Sequence, residues 1–347
     1  MTDLAQVHFQ VPDPSAEWTQ FEKTWKRPQP SPTATLEDIR DTANTRTARV
    51  FADVLGVPTS GLSVTDLLIP TTDGQHIPAR LYRPDQNEKD QKSLSLLPLY
   101  ISLHGGGFHL GNIETEDPHC RQVALAVGVA VLNVHYRHTP RWTFPAPVDD
   151  AWAAFRWAVD GPGIRQGLDP DRVFVGGVSA GACLAIGVAL RHLSQTRGGG
   201  PNGPKIRGLI LGTPSTVHPD HFPSHLVRGP SSLDLYANAP FLNLARLRGF
   251  VDLYKPDPLH PMCSPLLVPA EEFVGMCPVS FHIAGLDPLR DEGLLMEKKL
   301  RSVGVETTVR DYPGVPHAFM SLPTLPSAER WRLAMQEDLR GWIKSTE

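Results

Sequence analysis

A serine flanked by glycines is the residue best placed for chemistry in this sequence. Ser179 is the centre of GVSAG (177–181), which lies between the apolar run RVFVG (172–176) and the helical run ACLAIGVALRHL (182–193). A serine on a sharp strand-to-helix turn exposes its hydroxyl at the carboxyl edge of a sheet, and glycines permit the close backbone packing there. GxSxG also occurs by chance and a turn serine is often only a helix cap, but the strand and helix on either side favour a nucleophile.

A serine hydroxyl needs a base and an acid to become reactive at neutral pH. His317, in GVPHAF, follows the strand-like run VETTVRDY and is the candidate base. Asp287, in GLDPLRDEG, follows the run VSFHIAG and is the candidate acid, because a loop at the carboxyl edge would face Ser179. Asp291 is the alternative acid, although its place at the start of a helix already explains it as a first-turn residue.

An oxyanion formed on attack needs hydrogen-bond donors, and a run of glycines could supply them. HGGGF (104–108) follows the strand-like run LYISL, and its glycines leave the backbone N–H groups unshielded. We expect the N–H groups of Gly106, Gly107 and Ala180 to form a three-donor hole. A flexible turn is the plainer alternative for the triple glycine.

The elements that position these residues alternate between short strands and helices. Apolar, β-branched runs typical of parallel strands buried on both faces occur at 99–104, 129–136, 172–177, 208–212 and 279–285. Helices are predicted at 120–128, 147–159, 180–194 and 291–303. An antiparallel hairpin (63–70 and 77–84) precedes the first of these strands and an edge strand (305–312) follows the last, so the pattern predicts a doubly wound α/β sheet.

Proline marks two stretches that depart from this alternation. The chain has 34 prolines in 347 residues, which limits long uninterrupted helices, and ten of the 34 fall within 214–269. Residues 1–58 and that stretch are predicted to be a first and a second part added to the core. Trp18, Phe21 and Trp25 would share one helix face in the first part, either as simple packing or as a substrate-contacting lid.

Composition excludes several classes of protein. The net charge is −4, so no basic surface for nucleic acid is expected. Neither an export signal nor an apolar run of membrane-spanning length is visible, and the four cysteines lack CxxC spacing, so a cytoplasmic protein with reduced thiols is expected. A small-molecule acyl ester substrate is the expected partner, and the oligomeric state is open, with a homodimer as one option.

Three other clusters of histidine, aspartate or glycine residues are better explained by a structural role than by catalysis or ligand binding. HPDHFPSH (218–225) carries three histidines but two prolines and no periodic scaffold, so no metal site is predicted. Asp149 and Asp150 stand in the first turn of a predicted helix, where acids complement the helix dipole. RGGGPNGP (197–204) is expected to be a surface loop, because no lysine and helix start follow it as a phosphate cradle requires.

Taken together, the motifs resemble the hormone-sensitive-lipase-like branch of the α/β-hydrolases, over about residues 62–345. The matching segments are HGGGF (104–108), the stretch 136–157, LDPDRVFVGGVSAG (168–181), DPLRDEG (287–293) and PHAF (316–319). The resemblance implies an eight-stranded, mostly parallel sheet in a catalytic core at 59–347, with a helical, loop-rich cap built from residues 1–58 and the insertion 214–269. It also implies a cofactor-free carboxylic ester hydrolase of the carboxylesterase type. It also assigns Ser179, Asp287 and His317 as the triad.

Three departures from the family's pattern stand near the site. Val178 replaces the usual acidic residue before the serine, Ala182-Cys183 replaces Gly-Asn after SAG, and Arg141 replaces the glutamate after YRLAP. None removes a catalytic group, but each removes a polar partner, which puts the pH profile and the rate on simple esters in question. Cys183 lies one helical turn after Ser179 and is expected to be a small buried residue rather than a second nucleophile.

Acyl-chain preference is expected to depend on aromatic residues beside the motifs and in the cap. The pocket candidates are Phe108, His109, Phe319, Phe222 and Phe241. Acyl transfer or thioester release in a biosynthetic pathway is the alternative activity, because the triad does not distinguish oxygen from sulfur leaving groups. A catalytically dead small-molecule receptor is a third hypothesis, disfavoured because serine, acid and histidine are all present.

Overall fold

A single sheet of eight strands forms the centre of the molecule. The computed structural model describes residues 6–25, 31, 33–85, 96–197 and 205–346. The strands are β1 (Leu62–Pro70), β2 (His76–Pro84), β3 (Leu97–Leu103), β4 (Ala130–Val134), β5 (Leu168–Val178), β6 (Ile206–Gly212), β7 (Val279–Leu286) and β8 (Thr307–Pro316), in the spatial order β1-β2-β4-β3-β5-β6-β7-β8. All pairs from β4 to β8 are parallel, while β2 pairs antiparallel with both β1 and β4. The predicted fold class is confirmed.

Helices cover both faces of this sheet. The α-helices are α1 (Ala16–Thr24), α2 (Leu36–Leu55), α3 (Ile113–Val127), α4 (Ala146–Val159), α5 (Gly161–Arg165), α6 (Ala180–Thr196), α7 (Ser232–Leu235), α8 (Leu244–Tyr254), α9 (Arg290–Ser302) and α10 (Pro326–Ser345). Short 3₁₀ turns occupy Pro219–His221, Ser224–Leu226, Pro265–Leu267, Ala270–Phe273 and Phe319–Ser321. Among the described helices, none combines the length and apolar character needed to cross a membrane.

The strands are apolar on both sides because both sides are covered. Along β3, Leu99 and Ile101 belong to the core shared with α4 and α6, whereas Tyr100 faces the opposite core with α3 and α10. Successive side chains of a strand point to opposite faces, so a central strand shows a continuous apolar run rather than alternation. This is why the sequence pattern located the strands well.

One helix boundary was predicted wrongly. The sequence predicted a helix at 120–128, but α3 begins at Ile113 and contains Pro118. Asn112 caps the helix in a capping box with Thr115, whose side chain accepts a hydrogen bond from the backbone N–H of Asn112. Proline removes only one helical N–H donor, and the strong cap allows the helix to begin before it.

The two stretches outside the alternation meet each other and the core. Val7 forms a bridge with Val227, and the Trp18 and Phe241 rings lie 5.9 Å apart. In α2, Asn44 donates to the carbonyl of Gly111 at 3.2 Å, so this helix packs on the core. The division into cap and core stays a prediction, and the predicted loop 197–204 lies outside the described residues except for Arg197.

Candidate active site

Ser179 lies on a sharp turn between β5 and α6. Its backbone has φ 56° and ψ −116°, and its N–H donates to the carbonyl of Gly212 at 2.7 Å. A Cβ at Gly177 would lie 2.5 Å from backbone atoms of Gly181 and Leu103, and one at Gly181 would overlap the Leu103 carbonyl. Both glycines are therefore needed for the strand and helix to pack around the serine.

The structure brings the three predicted catalytic side chains into one hydrogen-bonded chain. The Ser179 Oγ lies 3.0 Å from His317 Nε2, and His317 Nδ1 lies 2.8 Å from Asp287 Oδ2. Asp287 is 1% exposed, and its other oxygen accepts from the N–H of Leu289 at 2.9 Å. This arrangement fixes the carboxylate on the Nδ1 side of the imidazole and leaves Nε2 to accept the serine proton.

The alternative acid, Asp291, lies at the start of α9 with other partners. Its Oδ2 accepts from the N–H of Ser232 at 2.7 Å, and its Oδ1 accepts from Arg290 Nε at 2.8 Å. Asp291 is thus a buried connection between α9 and α7. Of the two acids, the structure brings Asp287 to His317.

Next to these acids, Glu292 is also buried. It accepts from the N–H groups of Thr216 and Val217, at 2.6 and 3.4 Å. Burial raises the pKa of Glu292 well above its ordinary value. A raised pKa favours the neutral form of Glu292, which limits the negative charge beside Asp287.

The triple glycine forms a tight loop with left-handed backbone. Gly106 and Gly107 have φ 120° and 62°, and Phe108 has φ 59°. The Gly106 carbonyl accepts from the N–H groups of His109 and Leu110, at 3.1 and 2.9 Å. Ala180, the first residue of α6, has one of the N–H groups that lack a partner inside a helix. The oxyanion hole at Gly106, Gly107 and Ala180 stays a prediction, which the left-handed glycines and the unpaired N–H group at the helix start support.

His104, the residue before the three glycines, stabilises the conformation of this loop. Its Nδ1 lies 3.0 Å from the carbonyl oxygen of Gly105, and its ring stacks on Tyr136 with centroids 4.3 Å apart. The Tyr136 hydroxyl donates to the His104 carbonyl at 2.8 Å. Histidine and tyrosine thus fix the backbone from which the glycines follow.

Three of the pocket candidates sit in well-packed surroundings beside the motifs. Phe108 stacks on Tyr254 with ring centroids 3.8 Å apart. His109 is buried, with Nδ1 2.8 Å from the carbonyl oxygen of Thr139. Phe319 is fully buried in the core between β8 and α10. Their role in acyl-chain preference stays a prediction.

The other two candidates lie in the stretch 214–269. Phe241 packs against Trp25 with ring centroids 4.6 Å apart, and Phe222 belongs to an apolar cluster that includes Phe250. Phe250 itself was missed by the sequence analysis. A Cβ at Gly107 would fall 2.5 Å from the Phe250 Cδ2, so this ring covers the glycine loop. Nothing in the sequence pattern links Phe250 to Gly107, because the contact forms only in the folded chain.

The structure shows contacts for two of the three departures near the site. The Cys183 thiol contacts the Met262 carbonyl at 3.4 Å, and burial raises its pKa well above the usual value, as expected for a packing residue. Arg141 is exposed and lies 5.6 Å from the Trp142 ring. Nothing in the structure gives Val178 a polar role.

The aspartate pair and the histidine cluster that the sequence analysis set aside have structural contacts or are exposed. Asp150 is fully buried and pairs with Arg137 at 2.6 Å, and Asp149 pairs with Arg191 at 2.9 Å. His218 and His221 have ring centroids 5.8 Å apart, and His225 is exposed.

Comparison with known proteins places the chain in a family. Residues 100–321 match the family described as alpha/beta hydrolase fold. The chain belongs to this family. The match spans more than half of the chain and includes the glycine loop, Ser179, Asp287 and His317. The resemblance to its hormone-sensitive-lipase-like branch is confirmed.

Individual α/β-hydrolases similar to this chain include ester hydrolases. It is 34% identical to the carboxylic ester hydrolase LipN of Mycobacterium tuberculosis over 79% of this chain and 69% of that protein. It is 32% identical to an ethyl acetate hydrolase of Pseudomonas putida over 76% of this chain and 77% of that protein. The crystal structure of a vibralactone cyclase superposes with a TM-score of 0.88 at 28% identity, over 99% of both chains. The expected class, a carboxylesterase-type hydrolase, is confirmed.

Proposed function

We propose that this α/β-hydrolase cleaves small or medium-sized carboxylic esters through an acyl-enzyme on Ser179. The observation that carries the proposal is the hydrogen-bonded chain Ser179–His317–Asp287, with Oγ to Nε2 at 3.0 Å and Nδ1 to Oδ2 at 2.8 Å. His317 takes the Ser179 proton as Oγ attacks the acyl carbon. Asp287 keeps the imidazole oriented and stabilises its protonated form.

The oxyanion of the tetrahedral intermediate is held by the N–H groups of Gly106, Gly107 and Ala180. Collapse of this intermediate breaks the ester bond, and His317 returns its proton to the leaving alcohol. A water molecule, activated by the same imidazole, then attacks the acyl-enzyme. The acid is released and Ser179 is regenerated, so no cofactor enters the scheme.

Turnover of p-nitrophenyl esters from acetate to octanoate tests this proposal. We expect wild-type hydrolysis to be fastest within the short-to-medium range and Ser179→Ala to lose at least 10³-fold in kcat, because the covalent route is removed. Ser194→Ala is the matched control, since its hydroxyl is exposed near the end of α6. A Ser179→Ala protein with wild-type turnover would overturn the mechanism.

Acyl transfer is the second candidate, and the full-length likeness to a vibralactone cyclase supports it. An acyl-enzyme can be attacked by an alcohol or a thiol instead of water when the site excludes water. Supplying ethanol or a small thiol with a p-nitrophenyl ester separates the two activities. Transferred product exceeding free acid at low acceptor concentration supports transfer, whereas free acid alone supports hydrolysis.

We also propose a cytoplasmic location. The cysteines Cys120, Cys183, Cys263 and Cys277 are unpaired thiols, which suits a reducing compartment. The absence of nucleic acid among its partners remains a prediction as well, and a homodimer remains one option for the oligomeric state. Fractionation of cells and light scattering of the purified chain would test the location and the oligomeric state.

A further inference from the structure

Three histidines that are not part of the proposed triad cluster next to the glycine loop. His104 follows β3, while His135 and His138 follow β4, the parallel neighbour of β3. One ring nitrogen from each histidine lies within 4.8 Å of the other two. The ring centroids are 4.9 to 6.0 Å apart. The register of two adjacent strands thus brings three imidazoles to one point.

Each of these rings has a buried nitrogen without a hydrogen-bond partner among the described residues. The atoms are His104 Nε2, His135 Nδ1 and His138 Nε2. Buried polar atoms are normally satisfied, because an unpaired one costs about 1–3 kcal/mol. Three such atoms in one cluster can be satisfied by one shared partner, either a metal ion or a water molecule.

The tautomer of His104 is set by its surroundings. Its Nδ1 lies 3.0 Å from the Gly105 carbonyl oxygen, which can only accept, so the proton stands on Nδ1. The lone pair is then on Nε2, the buried atom without a partner. An imidazole whose second nitrogen donates to a backbone carbonyl is the usual arrangement of a histidine that ligates a metal.

The charge state of the cluster also suits a cation. Burial lowers the pKa of His104 to about 3 and lowers the pKa of His135 and His138. The three rings are neutral near pH 7, as metal ligands must be. The nearby Arg40 opposes a cation, but it is engaged by Glu37 at 2.9 Å and Asp41 at 3.1 Å.

We propose that His104, His135 and His138 bind one first-row divalent metal ion through three imidazole nitrogens. Because the three atoms lie within 4.8 Å of one another, a point exists no more than about 2.8 Å from all of them, against a Zn–N bond of about 2.0–2.1 Å. Side-chain movements of less than 1 Å would close that difference. His135 is partly exposed and gives the ion and a solvent ligand access. Imidazole ligands suit Zn²⁺, Cu²⁺ and Ni²⁺.

The role of this site is structural support of the glycine loop. A metal on His104 Nε2 holds the proton on Nδ1 and so maintains the contact with the Gly105 carbonyl. Gly105 precedes Gly106 and Gly107, whose N–H groups are proposed to hold the oxyanion. The site is independent of the proposed hydrolysis, since no step of that scheme requires the ion.

Zinc binding by the tag-free full-length chain tests the proposal. The protein is stripped with a chelator, equilibrated with Zn²⁺ and dialysed, and its metal content is then measured by plasma mass spectrometry. We expect one zinc per chain in the wild type. We expect binding at least tenfold weaker, by calorimetric titration, in His135→Asn and in His135→Asn/His138→Leu. The pair His221→Asn/His225→Asn, in which exposed histidines are changed, is the matched control and should keep one zinc.

A second readout guards against a variant that folds poorly. Zn²⁺ should raise the melting temperature of the wild type and of the control, and should have little effect on His135→Asn, whose ring is at the rim of the cluster. A wild type that retains no zinc, or a His135→Asn protein that binds as tightly as the wild type, would overturn the site and leave the imidazoles as packing residues.

Discussion

At the scale of residues, two neighbouring carboxylates of the candidate site differ in their hydrogen-bond partners. Asp287 faces His317 Nδ1 at 2.8 Å, whereas Asp291 is held by Ser232 and Arg290. The proposed reaction uses only the first of them, because only that carboxylate can stabilise the imidazolium formed when Ser179 loses its proton. Only three residues therefore separate the acid proposed for catalysis from an acid that has a structural role.

Substitution of each carboxylate by its amide tests this division. Asp287→Asn should lower kcat on p-nitrophenyl butyrate by about 10³–10⁴-fold, because an amide favours the wrong histidine tautomer. Asp291→Asn should change kcat by less than tenfold and instead lower the free energy of unfolding, since it leaves Arg290 buried without its carboxylate. Steady-state kinetics and urea unfolding measure both. Equal kinetic losses in the two variants would contradict the assignment.

At the scale of elements, the glycine loop is shaped by α8, which lies in the proline-rich stretch. The Phe250 ring occupies the space into which a Cβ at Gly107 would point, and Gly107 has φ 62°. The position thus excludes a side chain for two reasons, the contact with the ring and the backbone conformation. Movement of α8 would alter the loop that is proposed to hold the oxyanion.

Gly107→Ala should therefore lower kcat at least tenfold with little change in KM, since the loss falls on transition-state hydrogen bonds. The double variant Gly107→Ala/Phe250→Ala should recover part of that loss, because it removes the ring that the Cβ would meet. Gly249→Ala, whose Cβ would meet nothing within 4 Å, is the control, and it should stabilise α8 by up to about 1 kcal/mol. Failure of Gly107→Ala to affect kcat would argue against this loop as the oxyanion hole.

Strands were easier to predict from the sequence than the contacts between distant elements. The eight strands follow from apolar runs and turn residues, and Ser179, Asp287 and His317 follow from their positions after strands β5, β7 and β8. Pro118 concealed the start of α3, because proline usually marks a boundary and here the cap at Asn112 outweighs it.

Two features were not predicted from the sequence, the histidine cluster and the contact between Phe250 and Gly107, and only the first had a recognisable sequence signal. HYRH (135–138) and His104 follow two strands that the alternation makes neighbours, so their meeting could have been inferred. The packing of Phe250 on Gly107 could not, because it depends on how the stretch 214–269 folds back over the sheet. Local patterns specify elements, whereas such contacts depend on the whole chain.

At the scale of the whole molecule, a buried polar network connects the sheet with the last helix. His282 of β7 lies 2.9 Å from the Tyr312 hydroxyl of β8 and 3.3 Å from Ser280 Oγ, which donates to Asp338 of α10 at 2.7 Å. Burial lowers the pKa of His282 to about 4 from its ordinary 6.5. The neutral imidazole is therefore part of the folded state.

Stability should depend on pH through this residue. Below pH 6.5 the unfolded chain protonates His282 and the folded chain does not, so the stability it contributes is present above pH 6.5 and is lost as pH falls toward 4. The difference between the free energies of unfolding of wild type and His282→Asn should shrink by about 1.2 kcal/mol between pH 6 and pH 5. Urea unfolding followed by tryptophan fluorescence measures it. Because the two proteins share all other titrating groups, the pH effects of those groups largely cancel in the difference. A difference in unfolding free energy that does not change with pH would contradict a neutral His282 in the folded state.

Labelling with a fluorophosphonate, followed by peptide mass spectrometry, tests the central claim most directly. The reagent bonds to a serine only when a base and an oxyanion hole activate it. The account predicts one label per chain on Ser179, formed in parallel with the loss of ester hydrolysis, absent in Ser179→Ala and strongly slowed in His317→Ala. An unlabelled wild-type protein, or a label on another residue of a protein that hydrolyses esters, would contradict it.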